Sequence, residues 1–162
     1  MAGQIAYIAL GGNLGQRNRT LAEAIAMLND RPGVSVLRVS KMIETKPVGG
    51  PSGQGDYLNG AAEIQTSLSP EELLEVLQDI ERKLGRDRES EERWGERTCD
   101  LDILLMDDVV MDTPNLTIPH LRMHDREFVL VPLNELAGQV MHPILNKTIA
   151  TLLSDLKKRS SP

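Results

Sequence analysis

Apolar positions along this chain switch between two periods. In "QIAYIALGG", residues 4 to 12, β-branched and aliphatic side chains run at the strand period and stop at a glycine pair, which predicts a first strand. From about Thr20 the spacing changes: "TLAEAIAMLND" places Leu21, Ala24, Ile25 and Leu28 on one helical stripe before "RPG" breaks the chain. "VSVLRVSKMIETK" returns to period two and predicts one long second strand carrying Val34, Val36 and Ile43. "PVGGPSGQGD" is too rich in glycine and proline for regular structure, and "YLNGAAEIQTSL" predicts a third strand paired with the second.

The next helix carries its own boundary signals. Ser69 suits the N-cap, Pro70 the first helical position and Glu72 the far side of a capping box. Leu73, Leu74, Leu77, Ile80 and Leu84 then form the apolar stripe before Gly85. A polar loop of both charges, Arg86 to Thr98, leads to "CDLDILLM" as a fourth strand, "DD" as a tight turn and "VVM" as a short return strand. "REFVLVPLNELA" and "KTIATLLSDLKK" are apolar at helical spacing. The order β-α-β-β-α-β predicts an α+β, ferredoxin-like fold: an antiparallel sheet with helices on one face, plus C-terminal helical additions, in one domain spanning residues 1 to 162.

Composition narrows the partners. With 162 residues, 40% of them hydrophobic, the chain can bury one core, and its formal charge of -6 counts against nucleic acid or a membrane surface as partner. Any bound polyanion must meet a local basic patch. The lone Cys99 cannot form an internal disulfide, and no leader or membrane span is apparent, so a cytoplasmic monomer is expected. Aromatics are scarce: Tyr7, Tyr57, Trp94 and Phe128. The core must be aliphatic, so Tyr57, Trp94 and Phe128, beside polar loops, ask for another role.

Candidate chemistry centres on "RWGERTCDLDILLMD". Asp100 and Asp102 are two apart in a strand, so both project from one face while Leu101 and Ile103 turn to the other. Such a pair can hold Mg²⁺ together with substrate phosphates; the bland reading is a solvated acidic strand face. Arg86, Arg88, Arg93 and Arg97 lie upstream, where guanidinium groups could neutralise a polyphosphate. In "PHLRMHDREF", His120, Arg122, His124 and Arg126 put four potential phosphate donors within seven residues, with a salt-bridged surface loop as the equal alternative. The two histidines have metal-ligand spacing but lack a third partner for zinc. "GGNLGQRN" is neither G-x-G-x-x-G nor a Walker A loop. Cys99 reads as a small buried hydrophobe, and Glu81, three residues after Gln78, as a polar-face residue of the second helix.

Taken together and in order, "YIALGGNLG", "ETKPVGG", "DYLNGA", "RWGERTCDLDILL" and "IPHLRMHDREFVLVPL" closely resemble the 6-hydroxymethyl-7,8-dihydropterin pyrophosphokinases of folate biosynthesis. The resemblance implies transfer of diphosphate from ATP, the co-substrate, to the hydroxymethyl oxygen of the pterin by in-line attack on the β-phosphorus, leaving AMP. It implies that Asp100 and Asp102 hold two Mg²⁺ ions, and that Arg86 and Arg97 stabilise the triphosphate and its transition state. Arg88 and Trp94 would sit on a loop closing over both substrates. Tyr57 and Phe128 would sandwich the pterin ring, and Asn59 with the backbone around Thr45, Lys46 and Val48 would bond its edge. Gln78, Ile103, Thr117, His120 and Arg126 match ATP-contacting positions. Leu121 and Asn115 depart from the family pattern on the adenosine side. Two other readings stay open: a palm-like nucleotidyl transferase or nuclease, and a small-molecule-binding module without chemistry.

Overall fold

The computed structural model describes residues 3–12, 17–45, 57–85 and 99–160. The elements run β1 (Gln4–Gly12), α1 (Arg17–Asn29), β2 (Val34–Val39), β3 (Ile43–Thr45), β4 (Tyr57–Thr66) and α2 (Pro70–Gly85). There follow β5 (Asp100–Met106), β6 (Met111–Asp112), β7 (Thr117–Ile118), a 3-10 turn (Met123–Asp125), α3 (Glu127–Ala137) and α4 (Ile149–Ser160). The main sheet has the order β2-β4-β1-β5, with β3 also on β4, and every pairing in it is antiparallel.

Because β1 is central, both its faces are covered, and its alternation sorts the molecule into two layers. Ala6, Ile8 and Leu10 join Leu21 and Leu28 of α1, Leu73, Leu77 and Ile80 of α2, and Leu101 and Ile103 of β5 in one core. Tyr7 faces the opposite way, with Ala61 and Leu105, into a second core built by Leu130, Leu133, Leu136, Ile149 and Leu153 of α3 and α4. Helices α1 and α2 therefore share one face, as the ferredoxin-like order predicts. The C-terminal additions close the other face.

The capping box at α2 is formed: the Glu72 N–H donates to Ser69 Oγ at 3.1 Å and the Ser69 N–H to Glu72 Oε1 at 2.9 Å. Helix α1 begins at Arg17, one turn earlier than its apolar stripe. Gly33, with φ +83, turns the chain from α1 into β2 in a conformation that glycine adopts freely.

Two expectations change. The long second strand is broken into β2 and β3. Buried Ser40 sits at the break, donating its N–H to the Ala61 carbonyl at 2.8 Å and accepting the Ala61 N–H on Oγ at 2.9 Å. Next to it Met42 fills the space above Gly60, where any Cβ would collide with its Sδ. A hydroxyl replacing a ladder partner leaves no trace in a binary pattern. The short return strand does not lie on β5: β6 pairs with β7 in a separate ribbon. The free edge of β5 is already engaged, since the Leu101 N–H donates to Glu81 Oε2 at 2.7 Å and the His120 N–H to the Leu104 carbonyl at 3.0 Å. Among the described residues, no helix is long and apolar enough to cross a membrane.

Candidate active site

Strand register assembles the site. Ile43 pairs with Asn59, Asn59 with Gly11 and Gly11 with Asp100, so these residues lie side by side across four strands. In the next row Ala61 pairs with Ala9 and Ala9 with Asp102. Direct antiparallel partners share a face, so the two carboxylates and the Asn59 amide stand on one surface, the one nearest α3. Two strand spacings separate Asn59 from Asp100, about 10 Å. Small residues between them leave an open floor.

A cleft of about 500 Å³ lies over that floor, lined also by Thr45, His120, Arg126, Glu127 and Phe128. Alternation on β5 is as expected: Asp100 is half-buried and Asp102 exposed, while Leu101 and Ile103 are each 3% exposed in the opposite core. On the far side, Asn59 is buried and its Nδ2 donates to Thr45 Oγ1 at 2.8 Å, which sets the orientation of the amide. The roof comes from the chain entering α3. Phe128 keeps 37% of its surface exposed, and the Arg126 guanidinium carbon lies 5.9 Å from the centre of its ring.

His120 joins β5 to this roof. Its backbone N–H is tied to the Leu104 carbonyl, and its Nδ1 accepts the Arg122 N–H at 3.3 Å, so in the neutral ring the proton resides on Nε2. Burial pulls its pKa below the ordinary histidine value; Asp102 opposes that and Arg126 adds to it. His142, 4% exposed, is likewise lowered, chiefly by burial, and its Nδ1 accepts the N–H groups of Ile144 and Leu145 at 3.2 and 3.1 Å. A histidine whose folded pKa is depressed binds fewer protons folded than unfolded, so stability is lost as pH falls through and below the ordinary histidine range. Thermal unfolding from pH 7.5 to 5 should show Tm falling with acid, with a shallower slope in His142→Gln. A flat profile in the parent protein would contradict the burial of these rings.

The basic cluster divides. His120 and Arg126 reach the cleft, whereas Arg122 is exposed outside its lining and His124 Nε2 lies 3.5 Å from Asp125 Oδ1. The two histidines therefore do not converge on a metal. Three further expected ATP contacts stand away from the lining: Gln78 is exposed on α2, Thr117 Oγ1 donates to Asp112 Oδ1 at 3.1 Å, and the Ile103 side chain is in the α1/α2 core. Arg86, Arg88, Trp94, Arg97, Lys46 and Val48 lie outside the described residues, as does the side chain of Tyr57, whose backbone pairs with Thr45. Glu81 is more than a polar-face residue, since it holds the Leu101 N–H between the two acids. The floor residues Ala9 and Gly11 line the cleft and were passed over by sequence reasoning; their signal was the run of small residues in "ALGG". Burial pushes the Cys99 thiol up to about 12, with Glu81 and Asp100 adding to it, so it stays protonated and inert.

Residues 7–138 match the family described as 7,8-dihydro-6-hydroxymethylpterin-pyrophosphokinase (HPPK). A 2-amino-4-hydroxy-6-hydroxymethyldihydropteridine pyrophosphokinase of Bacillus subtilis (strain 168) is 52% identical over 136 residues, covering 84% of this chain and 80% of the relative. One of the same name from Haemophilus influenzae is 45% identical over 148 residues, covering 91% and 89%. In fold, the chain resembles the crystal structure of wild-type Plasmodium falciparum HPPK-DHPS, with a TM-score of 0.73 at 15% identity. That match covers 98% of this chain and 45% of the other, so this chain spans under half of its length.

Proposed function

This chain belongs to the 7,8-dihydro-6-hydroxymethylpterin-pyrophosphokinase family, and from that premise we propose that it transfers diphosphate from ATP to the hydroxymethyl oxygen of 6-hydroxymethyl-7,8-dihydropterin, releasing AMP. The supporting observation is a pair of adjacent cross-strand rows: an amide held by Thr45 at one end, Asp100 and Asp102 at the other, and only Gly11 and Ala9 on the strand between them. A flat ring belongs at the amide end, under Phe128. Phosphates belong at the acid end, under His120 and Arg126.

Asp100 and Asp102 suit Mg²⁺. They offer hard oxygen donors on one strand face, Asp100 half-buried and Asp102 exposed, and Mg²⁺ commonly takes one or two carboxylates together with phosphate oxygens and water. Two such ions, when bound, would neutralise the triphosphate and favour displacement at the β-phosphorus. The chain's own groups do the rest. Asn59 hydrogen-bonds the polar edge of the ring and Phe128 stacks on its face, which places the hydroxymethyl oxygen toward Asp100. Neutral His120 donates its Nε2–H to a phosphate oxygen, and Arg126, held over Phe128, supplies positive charge. Arg86 and Arg97 would add to that charge on the triphosphate.

Incubation with ATP, Mg²⁺ and the reduced pterin alcohol should yield AMP and the pterin diphosphate. ADP or inorganic pyrophosphate in their place would overturn the reading. Phe128→Ala should raise KM for the pterin roughly 10- to 50-fold, about 1.4–2.3 kcal/mol of lost stacking and burial, and KM for ATP by clearly less, through the loosened Arg126. Equal loss for both substrates would place Phe128 outside the ring site.

A further inference from the structure

The floor of the cleft contains a glycine that the backbone does not require. Gly11 lies within β1 without a left-handed φ, paired with Asn59 on one side and Asp100 on the other. A Cβ built on it would find Asn59 Oδ1 at 3.5 Å and the Leu58 carbonyl oxygen at 3.9 Å, both ordinary contacts. Glycine in a strand interior normally weakens it, through greater chain entropy and the lack of a side chain to pack. An alanine would therefore be accommodated by the fold and should not destabilise it. What the alanine would change is the cleft, because its methyl would rise from the floor between the ring end and the phosphate end.

We infer that Gly11 is a specificity-determining position: the space left by its missing side chain is the passage through which the one-carbon arm of the pterin runs from the ring at Asn59 to the phosphates at Asp100. The inference rests on the function proposed above. Asn59 and Asp100 are about 10 Å apart, so a substrate touching both must lie flat over Gly11. A methyl there lifts the arm by about the length of a carbon–carbon bond, and a displacement of roughly 1 Å at a reacting atom can lower the rate by about 100-fold. Ala9, also in the lining, keeps the adjoining row low. The same gap limits the substrate class to flat rings with a short, unbranched arm.

The test compares Gly11→Ala and Gly11→Val with the parent protein in thermal unfolding, in binding of ATP-Mg²⁺ alone, and in kinetics with the pterin alcohol. Expected for Gly11→Ala are an equal or higher Tm, ATP binding within about twofold, and kcat/KM for the pterin alcohol lowered at least tenfold; Gly11→Val should be folded and inactive. A dihydropterin without the hydroxymethyl arm should bind Gly11→Ala and the parent equally well. Unchanged kinetics in Gly11→Ala would overturn the inference, as would a fall in Tm, which would mean that the backbone needs the glycine. Equal weakening of the armless ring would place Gly11 beneath the ring rather than the arm. If the parent protein fails to bind either pterin, it is the proposed function that falls.

Discussion

Asp102→Ala is expected to lower AMP formation by roughly 10³-fold or more, about 4 kcal/mol of transition-state stabilisation, while the protein remains folded and still binds the pterin. The reasoning is positional. Asp102 is exposed on β5, directly opposite Ala9, so its removal opens no cavity. Substitutions at such positions usually change stability by less than about 0.5 kcal/mol. The ring site, two strands away at Asn59, keeps its hydrogen bond to Thr45. Single-turnover AMP release, pterin titration and thermal unfolding on one preparation separate the three quantities. Full turnover would remove Asp102 from the phosphate end, and lost pterin binding would show that the two ends of the row are not independent.

Moving the same chemical group one residue along the strand should have the opposite profile. Leu101→Asp points a carboxylate into the α1/α2 core, where Leu101 is 3% exposed and shares a cluster with Leu77, Ile80 and Leu10. The cost is about 4 kcal/mol or more, a large part of the 5–15 kcal/mol that holds an ordinary domain together. The variant is expected to be unfolded or molten at pH 7 by circular dichroism and urea titration. Burial would raise the new carboxyl's pKa in the folded state, so the folded form would bind more protons than the unfolded form. Stability should therefore recover in part as pH falls through that raised pKa. A Leu101→Asp protein as stable as its parent at neutral pH would mean that the strand faces are assigned the wrong way round.

The pair of substitutions also separates what period alone could reveal. Strand spacing puts Asp100 and Asp102 on one face and Leu101 and Ile103 on the other whatever the rest of the chain does. The Ile103 side chain accordingly lies with the α1/α2 core. Period could not say which helices cover which face. The acids share their layer with α3, because β1 is central and α1 and α2 occupy its other side.

The basic segment gives a second example. His120, Arg122, His124 and Arg126 are equivalent as a list of charges, yet two reach the cleft and two do not. The 3-10 turn Met123–Asp125 decides this, with fully buried Met123 as its anchor in the α3/α4 core. Around that anchor, His124 turns toward Asp125, while Arg126 emerges at the start of α3 beside Phe128. A turn anchored by a contact far along the chain has no local signature.

Neighbours a few residues apart were enough to specify the capping box at Ser69 and Glu72, the stripe of α2, the alternation of β5, and the motifs that point to a pterin pyrophosphokinase. Long-range packing set the break at Ser40, the pairing of β6 with β7, the reach of Glu81 to Leu101, and the row that puts Asn59, Gly11 and Asp100 side by side. Local periodicity records which way a side chain points. Which strand lies beside it depends on contacts between residues as distant as Gly11 and Asp100, and those form only when both cores close on the sheet together.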